Sequence, residues 1–312
     1  MRSHTHLTII LAVVAGCSSK SSTLSSSHPQ PWGEDDAIVR VTDTGLDVGI
    51  DSAEPEYVPP DGIEFWFMNV GQGDATLIRF PSGATMLIDG GGGSSGKNVI
   101  LPYLAQLNID RLDYVVATHP DADHVGGLDD VVWGVDVAEV WLNGEEKTTY
   151  AWEDFEEAVD ESGADVEIVH RGKVEYVGDC DVEVLNADQG HGEYNDNSIV
   201  LMVSCEGIRV LLPGDLGWTG QTDLVEEWGV DLKAEVAKIP HHGSSDHSAE
   251  YTSLVHPAVA VCSVGKGNSY GHPNLQVLQE WEEAGATVFR TDNEGTIVAG
   301  ANDGKLTVTT AF

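Results

Sequence analysis

The sequence contains few basic residues, and this scarcity disfavours one large class of partner. Lys and Arg together number 15 against 52 Asp and Glu, so the formal net charge is −37 at pH 7. Most nucleic-acid binding is driven by the release of counterions when Lys and Arg side chains meet phosphates. Long DNA is therefore disfavoured as a routine partner. The same acidity is compatible with adaptation to high salt, and composition leaves that question open.

Long apolar runs and clustered cysteines are also absent. After the start of the chain no run of 18 or more apolar residues occurs, so the sequence carries no signal for a transmembrane helix there. The cysteines are too dispersed for a thiolate metal site. We expect Cys180 and Cys205 to form a disulfide, because they flank two strands that could pair in antiparallel. Cys262 lies inside an apolar strand and should remain a buried thiol.

Motifs of two common classes of nucleotide-binding site are missing as well. The glycine run at 90–93 is not followed by Lys-Ser or Lys-Thr, which a phosphate-binding P-loop requires. The segment 71–76 lacks the third glycine of a dinucleotide-binding fingerprint.

The first 60 residues predict export and a tether. Arg2 and the apolar segment 7–15 are typical of a signal peptide, and residues 14–17 resemble a bacterial lipobox in which Cys17 receives a lipid. An ordinary cleaved signal with an incidental cysteine is the alternative. Residues 18–60 are rich in Ser, then in Asp, Glu and Pro, which is typical of a disordered segment.

From these segments we predict a bacterial lipoprotein in three parts. The parts are a signal peptide over 1–17, a tether over 18–60 and a folded domain over 61–312. The lipid anchor would be the protein's only contact with the membrane.

The folded part alternates strand-length apolar runs with amphipathic segments. In the first half, strands are predicted at 63–70, 75–80, 84–88, 112–117, 137–142 and 166–169, and helices at 99–107 and 152–161. In the second half, strands are predicted at 182–185, 198–203, 208–212, 236–239, 259–264 and 287–290, and helices at 249–255 and 275–284. This alternation indicates an α/β domain.

The most informative stretch carries two imidazoles and two carboxylates within six positions. These side chains directly follow the apolar run 112–117: His119, Asp121, Asp123 and His124. Imidazole nitrogen and carboxylate oxygen together suit Zn²⁺ or Mn²⁺. An EF-hand calcium loop is excluded, because its positions 5 and 12 would be Val125 and Val132. The stretch therefore predicts a metal site at a strand end.

Two later strands also end in potential ligands. Asp215 follows the strand 208–212 through a Pro-Gly turn, and His241 and His242 follow the strand 236–239. Adjacent residues of a strand point in opposite directions, so at most one of the two histidines should bind the metal. We slightly favour His241, with His242 packing or contacting the substrate.

These motifs resemble those of a known family. The pattern His119-x-Asp121-x-Asp123-His124-x-Gly-Gly is similar to the metal motif of the metallo-β-lactamase superfamily, in the variant of the hydrolase domain of the ComEC/Rec2 competence proteins. The likeness extends through 69–75, 87–91, 197–198, 212–215, 241–244 and 270–273, and covers about 63–310. It implies an α/β (α+β) fold, namely a four-layer αβ/βα sandwich with two mixed β-sheets.

The resemblance also implies two divalent metal ions, Zn²⁺ or Mn²⁺. One would bind His119, Asp121 and Asp215, and the other would bind Asp123, His124, Asp215 and one of His241 and His242. Asp89 would support the metal loop. Asn197 stands where most relatives have a metal-binding histidine, so it would reach the metal through water or contact the substrate, and His191 is the alternative at this position.

The implied chemistry is hydrolysis, in which Asp123 and Asp215 hold the ions and His272 protonates the leaving group. Substrate contacts are expected from Asn197, Ser244, Ser263, Asn268 and His272. The expected substrate is a phosphodiester, a phosphoester or another small anion, and nuclease activity is possible though disfavoured by charge. The alternatives are a lactone or acyl hydrolase, and a lipoprotein that binds metal or ligand without turnover.

Overall fold

The computed structural model describes residues 40–41, 60–187, 190 and 192–311. The predicted signal peptide, the lipid site at Cys17 and the alternative ligand His191 lie outside the described residues. Within the predicted tether, Arg40 and Val41 form a short strand that pairs in parallel with the last strand of the domain.

The strands are β1 (Arg40–Val41), β2 (Ile63–Phe67), β3 (Thr76–Arg79), β4 (Thr85–Ile88), β5 (Arg111–Val116), β6 (Asp136–Leu142), β7 (Asp165–Ile168), β8 (Val174–Val177), β9 (Cys180–Asn186), β10 (Val200–Cys205), β11 (Ile208–Leu212), β12 (Val236–Lys238), β13 (Val259–Cys262), β14 (Thr287–Arg290), β15 (Thr296–Asn302) and β16 (Lys305–Ala311). The α-helices are α1 (Leu101–Gln106), α2 (Ala122–Val125), α3 (Leu128–Gly134), α4 (Tyr150–Ser162), α5 (Trp218–Trp228), α6 (Ala249–Val255), α7 (Leu275–Glu283) and α8 (Thr291–Glu294). A π-helix, Gly96–Ile100, leads into α1, and 3₁₀ turns occupy Asn195–Asn197, Gly229–Leu232 and Pro240–Gly243.

The strands form two mixed sheets. Among the described residues the first sheet has the order β1-β16-β15-β2-β3-β4-β5-β6-β7, and the second has the order β14-β13-β12-β11-β10-β9-β8. Strands β4 to β7 run in parallel in the first sheet, as do β11 to β14 in the second. The remaining neighbours within the domain are antiparallel.

Three apolar clusters define the layers. One lies between the two sheets, a second lies between the first sheet and α1 to α4, and a third lies between the second sheet and α5 to α7. In β2, Phe65 and Phe67 enter the central cluster, whereas Trp66 enters the outer one, because successive side chains of a strand point to opposite faces. Both sheets are thus covered on both faces, and the predicted four-layer sandwich is confirmed.

Most predicted elements are present with small shifts at their ends, and a few were not predicted. The unassigned strands are β1, β8, β15 and β16, and the unassigned helices are α2, α3, α5 and α8. The predicted disulfide is confirmed, since Cys180 and Cys205 lie on the antiparallel strands β9 and β10 and are bonded, with Cα atoms 4.6 Å apart. Cys262 is a buried free thiol, as expected.

The helices of the described part are too short or too polar for a membrane span: none of them combines the required length and apolarity.

Candidate metal centre

The predicted site residues follow the carboxyl ends of parallel strands in both sheets. In the first sheet, Asp89 follows β4 and the metal loop 118–127 follows β5. In the second sheet, Asp215 follows β11, and His241 and His242 follow β12. The loop 69–75 closes one side of the site through Gly73, where a Cβ atom would lie 2.2 Å from the carbonyl oxygen of Asp123. Only glycine permits this approach.

Two imidazoles and two carboxylates converge at this edge. His124 Nε2 lies 3.1 Å from Asp215 Oδ2, and His242 Nε2 lies 3.2 Å from the same oxygen. His242 Nε2 is also 3.4 Å from Asp123 Oδ2. The rings are buried, whereas the Asp123 side chain is 32% exposed, so the cluster opens to solvent on its Asp123 side.

Hydrogen bonds behind the two rings set their orientation. His124 Nδ1 lies 2.7 Å from Asp89 Oδ2, and His242 Nδ1 donates to the carbonyl oxygen of Ser263 at 2.9 Å. Asp89 also accepts hydrogen bonds from the backbone N–H and the hydroxyl of Thr118, at 2.9 and 2.8 Å. Because Nδ1 is engaged on both rings, each Nε2 is directed at the centre of the cluster.

Asp74 and Lys238 belong to this cluster, although sequence analysis assigned neither a role. Asp74, His124, Asp215 and His242 each offer an atom within 4.8 Å of the others. Asp74, however, lies on the Nδ1 side of His124 and His242, at 3.9 and 3.6 Å, and its Oδ2 is 2.5 Å from Lys238 Nζ. We therefore regard Asp74 as a buried support for the two rings, and Asp123 as the carboxylate on their Nε2 side.

The centre fits a divalent cation. Several buried ligand atoms have no hydrogen-bond partner among the described residues: His119 Nε2, His124 Nε2, His242 Nε2 and Asp215 Oδ1. Buried polar atoms without partners are costly unless another group satisfies them. Nitrogen and carboxylate donors gathered around one small volume are suited to Zn²⁺ or Mn²⁺.

The pKa values show how strongly these charges depend on one another. Burial lowers the pKa of His124, but Asp215 and Asp89 together outweigh burial and hold this pKa well above its ordinary value. Burial also lowers the pKa of His242, but Asp215, Asp74 and Asp123 together raise it to about 10. Burial raises the pKa of Asp215, but the two rings hold it well below its usual range. Protons on the rings thus balance the carboxylates, and a divalent cation would replace them.

The slight preference for His241 over His242 does not agree with the geometry. His242 is buried in the cluster, whereas His241 lies at its rim, with a side chain 25% exposed and Nε2 4.0 Å from Asp215 Oδ2. The strand β12 ends at Lys238, so neither histidine lies on an extended strand. His241 and His242 both have a left-handed backbone, with φ of 47° and 53°, so strand alternation does not apply to them.

The residues expected to bind the first ion do not converge as closely as those around His124 and His242. His119 Nε2 is 4.0 Å from Asp121 Oδ1, and Asp121 forms an ion pair with Lys147. Burial and the neighbouring charge of His124 hold the pKa of His119 well below its ordinary value, so this ring is neutral. The Asn197 amide donates to Glu145 Oε1 at 2.7 Å, a contact that the sequence did not suggest.

The predicted substrate contacts differ in their surroundings, and some of them support loops. Asn268 donates to the carbonyl oxygen of His272 at 2.6 Å and accepts from its N–H at 3.2 Å, so it shapes the loop 268–272. Ser244 Oγ accepts from the N–H of Asp246, whereas Ser263 Oγ is buried without a partner among the described residues. The ring of His272 lies 5.4 Å from that of His241.

Comparison with known proteins gives a family match and curated relatives. The family model described as metallo-beta-lactamase superfamily matches residues 68–263. The chain is 30% identical over 248 residues to ComE operon protein 3 of Bacillus subtilis (strain 168). This alignment covers 74% of this chain and 32% of that protein. The chain is 29% identical over 257 residues to competence protein ComA of Neisseria gonorrhoeae, covering 82% of this chain and 35% of that one. The chain thus spans about a third of the length of these relatives.

A solved structure shares the fold. The metallo-beta-lactamase fold protein YhfI from Bacillus subtilis superposes with a TM-score of 0.52, covering 77% of this chain and 100% of that one, at 8% sequence identity. The resemblance noted from the motifs is therefore confirmed, both for the superfamily and for the competence proteins.

Proposed function

The chain belongs to the metallo-β-lactamase superfamily, whose members are generally metal-dependent hydrolases, and from this premise we propose that it hydrolyses phosphodiester or phosphoester bonds. One observation carries the proposal. The Nε2 atoms of His124 and His242 and the carboxylates of Asp123 and Asp215 converge on one volume that opens to solvent. A purely structural ion pair would not need two buried imidazole nitrogens directed at an opening.

The chain's own residues would hold the cation and orient the reaction. His124, His242, Asp123 and Asp215 would bind it, and Asp89 and the Ser263 carbonyl would keep the rings in place. A bound Zn²⁺ or Mn²⁺ would supply Lewis acidity, by which a phosphoryl oxygen is polarised and a water molecule is acidified.

His272 is the proposed proton donor to the leaving group. Burial and the nearby His241 lower the pKa of His272, so its ring is largely neutral without substrate. An anionic substrate bound beside the ring would favour the imidazolium and raise its pKa again, because opposite charges stabilise each other. The proton would then move from the ring to the departing oxygen.

An anionic substrate of limited size agrees best with the charge distribution. Two imidazoles border the opening, those of His241 and His272. The whole chain nevertheless carries a net charge of −37, which repels extended polyanions. A small phosphodiester satisfies both observations. Nuclease activity is the alternative outcome, which the experiment below distinguishes.

A substrate screen tests the proposal. The metal-freed protein is reloaded with Mn²⁺ or Zn²⁺ and assayed against a phosphodiester, a phosphomonoester, a lactone and single-stranded DNA. We expect the phosphodiester to be hydrolysed fastest and Asp215→Ala to abolish turnover, because Asp215 contacts both imidazoles. The matched control is Asp113→Ala, which removes a carboxylate at the opposite end of β5, where Asp113 accepts from Thr85. Preference for the lactone, or full activity in Asp215→Ala, would refute the proposal.

We also propose that the protein is exported and anchored through a lipid on Cys17. The disulfide between Cys180 and Cys205 supports an oxidising compartment, since such bonds are rare in the cytosol. Mass spectrometry of membrane-extracted protein should show a diacylglyceryl group on Cys17. An unmodified Cys17, with cleavage elsewhere, would exclude the anchor.

A further inference from the structure

Lys147 contacts the carboxylate of Asp121, which a first metal ion would need as a ligand. Its ammonium forms an ion pair with Asp121 and lies 4.2 Å from the centroid of the Tyr194 ring. The side chains of Lys147 and Asp121 are only 22% and 31% exposed, so water screens the pair incompletely. The pair also joins two separate segments, the metal loop and the loop between β6 and α4.

The remaining groups at this position do not compensate for the engaged carboxylate. The Asn197 amide donates to Glu145 Oε1 at 2.7 Å and to the carbonyl oxygen of Glu193 at 3.2 Å. His119 Nε2 lies 4.0 Å from Asp121 Oδ1, the same carboxylate oxygen that pairs with Lys147. The position thus offers one imidazole, an amide that already donates to Glu145 and Glu193, and a carboxylate already paired with a cation. That set is weaker than the donors around His124 and His242.

We propose that Lys147 takes the place of the first metal ion, so that the chain binds a single divalent cation tightly, at Asp123, His124, Asp215 and His242. The ammonium neutralises Asp121 and repels a second cation from the same volume. The inference rests on the proposed function, because it requires the metal centre to be real. In the family pattern a metal ion occupies this position, whereas in this chain the Lys147 ammonium would supply the positive charge.

Metal counting tests this inference without any assay of turnover. The metal-freed full chain and its variants are titrated with Mn²⁺, and free Mn²⁺ is measured by electron paramagnetic resonance. We expect one tight site in the wild type and two in Lys147→Met, with the second ion bound at least about tenfold more tightly than in the wild type. Lys147→Arg keeps the charge and should retain one tight site. Lys173→Met is the matched control, since Lys173 also pairs with a glutamate and lies over an aromatic ring, yet belongs to no predicted site.

Further variants separate the possible failures. Lys147→Gln replaces Lys147→Met if the latter does not fold, and adding Asp121→Asn to either should return the count to one. Two tight sites in the wild type, or equal counts in the wild type and Lys147→Met, would overturn the inference. Absence of binding in every variant would overturn the metal centre together with it. Predicted metal counts without hydrolysis of any substrate would overturn only the proposed function.

Discussion

The buried ion pair between Lys238 and Asp74 gives a quantitative prediction about the support of the metal centre. Lys238 Nζ lies 2.5 Å from Asp74 Oδ2 and 3.6 Å from Asp215 Oδ1, and it donates to the carbonyl oxygen of Gly214 at 2.8 Å. The side chains of Lys238 and Asp74 are 4% and 3% exposed. Lys238 is thus a cation that balances two buried carboxylates, Asp74 on the Nδ1 side of the imidazoles and Asp215 on their Nε2 side.

Replacing Lys238 by methionine keeps most of the side-chain volume and removes the charge. Breaking one side of a buried pair leaves an uncompensated charge, which typically costs about 3–5 kcal/mol. With a urea m-value of about 3 kcal/mol/M, the unfolding midpoint should fall by roughly 1–1.7 M. The measurement is equilibrium unfolding in urea with a chelator present, so that metal binding does not contribute.

Two comparisons separate the charge from general packing. Lys173→Met removes a partly exposed pair with Glu167, which is 2.7 Å long, and should cost only about 0–1 kcal/mol. Adding Asp74→Asn to Lys238→Met should restore at least about 1 kcal/mol, because the unpaired charge is then removed. Two results would show that Lys238 does not balance a buried charge on Asp74. One is a loss of stability in Lys238→Met no larger than that in Lys173→Met, and the other is simple addition of the stability losses of Lys238→Met and Asp74→Asn.

Three further predictions address the reaction, the metal and the disulfide. His272→Ala should retain metal and lose rate mainly on an unactivated phosphodiester, because only a poor leaving group needs a proton. Equal rate losses on activated and unactivated substrates would exclude His272 as the general acid. In the Lys147→Met background, Asp121→His replaces a carboxylate by an imidazole without leaving an unpaired ammonium. The second ion should then bind with Zn²⁺ preferred over Mn²⁺, and an unchanged metal preference would contradict this. Cys180 and Cys205 are 25 residues apart, so replacing both by serine should lower the free energy of unfolding by about 3–4 kcal/mol in the chain-entropy model. A reducing agent should lower the stability of the wild type but not that of this variant.

Much of the fold and part of the site could be predicted because the information is local. Alternation of apolar residues identified β2 and its neighbours, and the cluster from His119 to His124 directly follows an apolar strand. The Cys180–Cys205 bond also followed from strand ends. The strands β8, β15 and β16 were not assigned, because their short or small-residue patterns become interpretable only beside the strands with which they pair.

The sequence by itself determined which residue types stand after which strands, because the side-chain period of a strand and the chemistry of imidazole and carboxylate are local properties. Only the tertiary structure decided which of these side chains meet. His242 enters the centre in place of His241 because two successive residues adopt left-handed φ values, which strand periodicity does not anticipate. Lys238 and Lys147 reach Asp74 and Asp121 from distant parts of the chain. Their charges act through space, so their partners depend on the fold and not on any spacing along the sequence. The Lys238–Asp74 pair joins the two sheets, and the Lys147–Asp121 pair joins the loops that follow the neighbouring strands β6 and β5.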